Sequence, residues 1–184
     1  MAPKKKYSRS SILNAAVETV RESGAENLNT RTVAARLGCS TQPILYYFSS
    51  IELLKREIFR AADDYHTEYI TKIESSGKYT LKDTALRYIQ FAVDEKNLFR
   101  FLFISEYAKD NCFLNAASAE DFTEFVSLLR FRADISREEA CGILKQMFML
   151  IHGYACVCAY HPEMYDSEKI GQQIELVFHS LTAN

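Results

Sequence analysis

Hydrophobic residues recur at intervals of three and four along nearly the whole chain, a spacing that predicts α-helices throughout. The first such segment has Ile12 and Val20 on one face. Ser8 or Ser10 is placed to cap its amino terminus, and Gly24 is placed to end it. We therefore expect a first helix between these serines and the glycine.

A second, shorter helix is predicted to begin at Thr30, whose side chain can cap it, and to end at Gly38. Val33 and Leu37 form its inner face. Glycine readily takes the left-handed conformation that ends a helix, so the chain is expected to turn sharply at Gly38.

The third helix follows at once, with Ser40 as its expected cap. Pro43 falls in its first turn, where a proline loses no helical hydrogen bond. Ile44 and Phe48 are four residues apart and face inward. The sides and the outer face therefore carry Thr41, Gln42, Leu45, Tyr46 and Tyr47.

Beyond residue 50 the spacing continues over several turns and predicts one long helix that leads on without a flexible linker. The stretch SSGKY, residues 75–79, is the clearest break after it. Five further helices are expected at about 81–95, 97–108, 118–132, 136–160 and 167–182. The pattern predicts an all-α protein of about nine helices, with domains at 1–52 and 53–184.

The second and third helices have the arrangement of a helix-turn-helix, whose second helix can enter the major groove of DNA. A glutamine can form two hydrogen bonds to adenine, and hydroxyl groups can contact base edges or phosphates. A plain helical hairpin with a solvated outer face has the same spacing. The residues alone leave both interpretations open.

The charge of the chain is divided unevenly. Residues 1–60 carry ten lysines and arginines against five glutamates, a net charge of +5, whereas the remainder carries −7. A basic end attached to an acidic body is typical of a protein that binds a polyanion at that end. No apolar run reaches the roughly 18 to 20 residues of a membrane span, so we expect a cytoplasmic protein without a membrane partner.

The stretch from Ser10 to Phe59 resembles the amino-terminal DNA-binding domain of the TetR/AcrR family of transcriptional regulators. The resemblance rests on three segments in order, ILNAAVETVRESG, LNTRTVAARLGCS and ILYYFSSIELLKREIF. Two positions depart from the family pattern, because Leu45 stands where a tyrosine is frequent and Ile51 where a lysine is frequent. Those two family residues usually contact backbone phosphates.

The resemblance implies an all-helical homodimer with a divergent ligand-binding body. The expected function is that of a ligand-responsive transcriptional regulator, a repressor, that binds a palindromic operator in double-stranded DNA and is released by a small-molecule effector. The DNA-binding candidates are Lys4, Lys5, Lys6, Thr30, Arg31, Ser40, Thr41, Gln42, Pro43, Tyr46, Tyr47, Ser49 and Lys55.

The last two predicted helices have more apolar surface than a single domain can cover. The segment at 136–160 is apolar on nearly all sides, and the one at 167–182 has a continuous apolar stripe. Two copies could bury both in a four-helix bundle, although an internal helix pair of a monomer is the alternative. The dimerisation candidates are Met147, Ile151, Tyr154, Ile170, Ile174, Val177, Phe178 and Leu181.

Aromatic residues and methionines crowd the middle helices, where they suit either an ordinary core or an apolar ligand cavity. We expect most of them in the core and a subset around a partly apolar effector. His152 is either a core or interface histidine or a polar contact of that ligand. The ligand-binding candidates are Phe91, Phe103, Tyr107, Phe125, Phe148 and His152.

Sequence signatures of enzymes are absent: the chain has no HExxH, no Gly-rich phosphate loop, no GxSxG and no Glu-x-x-His pair. Cys156, Cys158 and His161 could bind a metal, but the two cysteines point about 200° apart on one helix. We therefore expect no enzymatic activity, no cofactor and no metal. A helical protein-interaction adaptor without DNA binding is the remaining alternative, and it leaves the basic end unexplained.

Overall fold

The computed structural model describes residues 7–71, 80–111, 126 and 135–183. These ranges contain eight α-helices, three short 3₁₀ segments and no β-strand, which confirms the all-α prediction. The predicted helix at 118–132 lies outside the described residues except for Val126, which is buried and helical. The helices are α1 (Arg9–Ser23), α2 (Thr30–Leu37), α3 (Gln42–Tyr47), α4 (Ile51–Thr71), α5 (Leu81–Asp94), α6 (Lys96–Phe103), α7 (Arg137–Tyr160) and α8 (Ser167–Thr182).

Hydrogen bonds at the helix ends explain where the first two helices begin and stop. Ser8 caps α1 in a reciprocal arrangement with Ser11, and Gly24 ends that helix with a φ of 83°. Asn29, and not Thr30 as predicted, caps α2, because its side-chain oxygen accepts from the backbone N–H groups of the first turn. Gly38 ends α2 in the predicted left-handed conformation, with φ 64° and ψ 38°.

The start of α3 differs from the prediction. Thr41, not Ser40, is the residue before the first helical turn, and no side chain caps this end. Pro43 lies in the first turn as expected. Ile44 and Phe48 are 0% and 1% exposed, so the predicted inner face of α3 is confirmed.

The chain divides into two compact units. The head unit comprises residues 1–68 and 95–108, and the body unit comprises 69–94 and 109–184. The long helix α4 contributes residues to both units. The functional boundary predicted between residues 52 and 53 stays a prediction.

The head unit includes α6, although this helix follows α5 in sequence. Leu98, Phe99, Phe101 and Leu102 of α6 are all buried, and α6 packs against α1. The helix is shorter than predicted because the backbone N–H of Ser105 bonds to the carbonyl of the residue five positions earlier and closes its end. A 3₁₀ segment at Glu106–Asn111 follows.

The body unit is built on α7, which packs along α5 and α8. Its amino terminus has a capping box between Ser136 and Glu139. Among the described helices, α7 alone is long and apolar enough to cross a membrane by length and composition. Its face of Ala140, Leu144, Met147 and Ile151 is buried within the protein.

Candidate nucleic-acid interface

The outer face of α3 presents a compact set of exposed side chains. Gln42 is exposed, and Leu45 and Tyr46 are 52% and 69% exposed. These residues are three and four positions apart and therefore lie on one face of the helix. The structure thus brings a side-chain amide, an aliphatic group and a phenol together on one small surface.

The opposite face of α3 fixes its position on the head unit. Ile44 and Phe48 are buried, and the guanidinium of Arg9 in α1 lies 5.0 Å from the centre of the Phe48 ring. Arg9 also forms an ion pair with Glu57 of α4 at 2.9 Å. The surface formed by Gln42, Leu45 and Tyr46, hereafter the recognition surface, is thus held in place through Arg9 of α1, which contacts both α3 and α4.

Tyr7 ties the residues before α1 to the helix-turn-helix. The hydroxyl of Tyr47 donates to the backbone carbonyl of Tyr7 at 3.2 Å, and the ring of Tyr46 meets that of Tyr47 edge-on at 5.0 Å. Tyr7 was not singled out from the sequence because this contact joins residues forty positions apart. It directly follows Lys6, and Lys4, Lys5 and Lys6 themselves lie outside the described residues.

The other predicted DNA-binding residues lie at the surface around this helix. Arg31, Ser40 and Ser49 are exposed, whereas Thr30, Thr41, Pro43 and Tyr47 are half-buried. Arg31 is the basic side chain among them, and it stands in the first turn of α2. Their assignment to DNA stays a prediction.

Lys55 has a different environment from the one expected of a phosphate contact. Its ammonium donates to the hydroxyl of Tyr107 at 2.6 Å and lies 4.9 Å from the centre of that ring. The hydrogen bond with Tyr107 raises the pKa of Lys55, so the lysine stays charged. Within the head unit Lys55 and Tyr107 are thus partners of each other, and their predicted roles as a phosphate contact and a ligand contact stay predictions.

A half-buried polar cluster joins α1, α4 and α6. The carboxylate of Glu95 accepts from Arg21 at 2.9 Å and from the Tyr65 hydroxyl at 3.0 Å. The Arg21 guanidinium lies 5.0 Å from the centre of the Tyr65 ring, and Asn97 donates to the Arg21 carbonyl at 2.9 Å. These contacts connect distant positions of the sequence, which is why periodicity did not reveal them.

Comparison with protein families decides what this head unit is. Residues 12–62 match the family described as bacterial regulatory proteins, tetR family. This match covers most of α1, all of α2 and α3 and the first half of α4. Over residues 12–62 this chain is therefore similar to the TetR family. The matched segment contains the helix-turn-helix of α2 and α3.

Solved TetR-family structures share the fold at low sequence identity. A TetR-like transcriptional regulator from Rhodococcus sp. RHA1 is 14% identical, with a TM-score of 0.69 over 95% of this chain and 96% of that one. NalD of Pseudomonas aeruginosa, the secondary repressor of the MexAB-OprM multidrug efflux pump, is 17% identical, with a TM-score of 0.58 over 96% and 97%.

A third solved structure contains a ligand. A TetR variant from Acinetobacter baumannii AYE, in complex with minocycline, is 17% identical, with a TM-score of 0.57 over 97% of this chain and 96% of that one. A search of curated protein sequences finds no significant match. Because the three solved structures align over at least 95% of this chain, their likeness includes the fold of the body unit.

The predicted ligand-binding residues fall into both units of this chain. Phe103 belongs to the head unit, where its ring lies 5.0 Å from that of His66 and 5.3 Å from that of Phe99. Phe91, Phe148 and His152 belong to the body unit, and Phe125 lies outside the described residues. We therefore confine the candidate effector site to residues of the body unit.

His152 is the centre of a polar cluster in that unit. Its Nδ1 lies 3.0 Å from the Tyr88 hydroxyl, its Nε2 lies 3.4 Å from the Cys156 thiol, and its ring stacks on Phe148 at 5.4 Å. Burial lowers the pKa of His152 and raises the pKa of Tyr88 and of the Cys156 thiol. Burial therefore favours the neutral form of all three groups.

A separate cleft of about 210 Å³ opens on the body unit. Arg87 donates to the backbone carbonyl of Tyr69 at 3.0 Å on its wall. Asp94 accepts from Tyr69 at 2.6 Å and from Gln90 at 2.7 Å. The cleft is lined by Tyr69, Leu86, Arg87, Gln90 and Tyr165.

Four of the eight residues predicted to form a dimer interface are buried inside one protomer. Met147 is 1% exposed, Ile151 6%, Ile170 4% and Ile174 1%, because these side chains pack where α5, α7 and α8 meet. Side chains buried inside one protomer offer little area to a second copy. Tyr154, Val177, Phe178 and Leu181 are half-buried.

Exposed apolar side chains beside that core were missed by the sequence analysis. Met149 and Val157 of α7 are 53% and 44% exposed, Tyr160 is 50% exposed, and Leu176 of α8 is 62% exposed. Gly153, also exposed, completes the α7 stripe at intervals of three and four residues. The all-round apolar pattern of α7 gave no signal for which face is covered. No group of three or more metal-binding side chains occurs in the part of the chain that the structure describes.

Proposed function

We propose that this chain is a TetR-family repressor that binds a palindromic operator as a homodimer and is released when a small molecule occupies the body unit. The exposed face of Gln42, Leu45 and Tyr46, fixed on the buried side chains of Ile44 and Phe48, carries this proposal. A rigid helix with amide, aliphatic and phenolic groups on one face supplies the contacts that distinguish base pairs in a major groove.

Non-specific affinity comes from positive charge around this helix. The segment of residues 1–60 has a net charge of +5, and exposed Arg31 lies in the first helix of the helix-turn-helix. Lys4, Lys5 and Lys6 precede Tyr7, whose carbonyl is bonded to α3. We expect these lysines to neutralise phosphates next to the recognition helix, which makes affinity dependent on salt.

Quantitative DNA binding tests the proposal. A preferred duplex is selected from random sequences, and the dissociation constant is measured by fluorescence anisotropy at several salt concentrations. Gln42→Ala should weaken the preferred site by about 1 to 3 kcal/mol per half-site and leave random DNA nearly unchanged. Gln173→Ala, an exposed glutamine of α8, is the matched control.

Replacement of Lys4, Lys5 and Lys6 by alanine should act differently. It should weaken binding to all sequences and reduce the slope of log affinity against log salt by up to about 0.9 for each phosphate that is no longer neutralised. An absence of duplex binding at low salt would instead support a protein-interaction adaptor.

Dimerisation places two recognition helices on one operator. We assign the interface to the exposed stripe of Met149, Gly153, Val157 and Tyr160 with Leu176, because a second copy of the same surface would cover it. Two half-sites in successive major grooves then lie about 34 to 36 Å apart, or a multiple of it.

A charge placed in that stripe tests the assignment. Val157→Asp should convert the dimer to a monomer in sedimentation equilibrium and should reduce operator affinity. Asn14→Asp, on the exposed side of α1, is the control for the added charge. A dimer that persists in Val157→Asp at micromolar concentration would place the interface elsewhere.

The effector site is assigned to the cluster around His152. Its stacked Phe148 ring and the neutral Tyr88 hydroxyl suit an aromatic ligand with one uncharged polar group. The minocycline-bound relative and the efflux-pump repressor support a small-molecule effector of partly apolar character. Residues of α4 belong to both units. We therefore expect α4 to transmit ligand binding to the head unit and so to lower the fraction of protein in the conformation that binds DNA.

Thermodynamic linkage tests this last step. A panel of aromatic amphiphiles is screened for compounds that raise the unfolding temperature, and each hit is titrated with and without operator. Operator must weaken ligand binding by the same factor by which ligand weakens operator binding. Phe148→Ala should remove the response and leave ligand-free operator affinity within twofold.

A further inference from the structure

Leu45 combines high exposure with a position on the recognition surface. It is 52% exposed on a helix of six residues, whose inner side is filled by the fully buried Ile44. A single leucine on a protein surface is ordinary. This one, however, projects beside Gln42 and Tyr46 on the face that we assign to the major groove.

The angular position of Leu45 follows from helix geometry. At about 100° per residue, Leu45 lies about 60° to one side of Gln42, and Tyr46 lies about 40° to the other. Side chains three positions apart have Cβ atoms about 5 to 6 Å apart. Successive base pairs are about 3.4 Å apart, so these two side chains reach positions one or two base-pair steps from each other.

We propose that Leu45 reads a thymine through its C5-methyl group, one or two base pairs from the pair that Gln42 contacts. This inference rests on the proposed function and specifies its DNA. Thymine is the base whose major-groove edge carries a methyl, and an apolar side chain contacts it favourably. Gln42 selects adenine by two hydrogen bonds. The operator half-site therefore contains neighbouring A·T pairs with one thymine methyl turned to Leu45.

The chemistry of the side chain excludes a phosphate contact at this position. Leucine has no hydrogen-bond donor, so it cannot bind a phosphate oxygen. Tyr46 beside it has a hydroxyl for that purpose and is 69% exposed. The basic charge of the first 60 residues favours DNA over a second protein as the molecule covering this face.

Uracil substitution gives a direct test because it removes the methyl and leaves the hydrogen-bonding edge unchanged. Full-length protein is titrated against the selected duplex and against duplexes with each thymine replaced in turn by uracil, at one salt concentration. We expect about a fourfold loss of affinity per half-site at a single thymine position, as for the burial of one methyl at about 0.8 kcal/mol. Replacement in both half-sites should give about a 16-fold loss.

Variants of Leu45 and Gln42 show which side chain causes the preference for thymine over uracil. Leu45→Ala should bind thymine and uracil duplexes equally, and Leu45→Met should keep the preference. Gln42→Ala should bind more weakly but keep the thymine preference. Circular dichroism confirms that each variant is folded.

Three outcomes would overturn the inference. A wild-type protein with equal affinity for thymine and uracil at every position does not read a methyl, although the proposed function would stand. A preference that persists in Leu45→Ala would belong to another residue. A protein that binds no duplex at all would overturn the proposed function and this inference together.

Discussion

The two units of this chain are stabilised in different ways. In the head unit, polar side chains join helices that are far apart in sequence, as in the cluster of Arg21, Tyr65 and Glu95. The body unit relies on apolar helices, and α7 supplies more buried side chains than any other described helix of this unit. The head unit is matched by a sequence family, whereas the body unit is recognised by its fold.

This difference explains why the two units yield unequal functional information. A DNA-binding helix must present its reading groups on one short, rigid face, so its sequence is constrained over a few neighbouring residues. A ligand-binding body must only enclose a cavity, and many combinations of apolar residues do so. Function is therefore local in sequence in the head unit and distributed in the body unit.

The largest expected change in stability comes from the core beneath the recognition surface. Phe48→Ala should lower the free energy of unfolding by about 3 to 5 kcal/mol, because it removes a fully buried ring. Leu45→Ala, three residues earlier and exposed, should change it by less than about 0.5 kcal/mol. Urea denaturation followed by circular dichroism measures both. Equal losses would show that α3 is packed differently from the arrangement described here.

A buried histidine gives the head unit a pH-dependent stability. His66 is 7% exposed, and burial lowers its pKa from 6.5 to about 4. Between these values the unfolded chain binds more protons than the folded one, so stability falls as pH decreases from about 6.5 to 4 and is constant above. The expected total loss is about 3 kcal/mol.

His66→Leu isolates this contribution because it removes the titrating group and keeps an apolar side chain. Unfolding free energies at pH 7 and pH 4.5 are compared for the wild type and the variant. The loss of unfolding free energy between pH 7 and pH 4.5 should be smaller in the variant than in the wild type by about 2 to 3 kcal/mol. An unchanged difference would show that other groups cause the acid sensitivity.

The sequence predicted features that depend on spacing within one helix better than features that depend on contacts between helices. Periodicity predicted the helices and the inner face of α3, because Ile44 and Phe48 are set by spacing within one helix. It gave no sign of contacts between distant residues, such as the hydrogen bond between Lys55 and Tyr107, which are 52 positions apart. It also misjudged Met147 and Ile174, because an apolar helix does not reveal which of its sides another helix covers.

Two glutamates allow the half-buried polar cluster of the head unit to be compared with an ion pair on its surface. The Glu95 side chain is 13% exposed and accepts from two donors, whereas Glu26 is 59% exposed and lies 3.5 Å from Arg100. Glu95→Gln should lower the unfolding free energy by about 1.5 to 3 kcal/mol. Glu26→Gln should lower it by about 0 to 1 kcal/mol. Comparable losses would remove the distinction between the two contacts.

The smallest expected effect concerns the hydroxyl that holds Lys55. Tyr107→Phe deletes one hydrogen bond but keeps the ring over which the ammonium lies, so the unfolding free energy should fall by about 0.5 to 1.5 kcal/mol. Tyr107→Leu, which also removes the ring, should cost more. Chemical denaturation of both variants and of a Lys55→Met variant gives the coupling energy between the two side chains. The freed ammonium should also increase the affinity for random DNA slightly, since it can then reach a phosphate. An unchanged stability in Tyr107→Phe would show that this hydrogen bond contributes nothing to folding, and an unchanged DNA affinity would show that the released ammonium does not reach a phosphate.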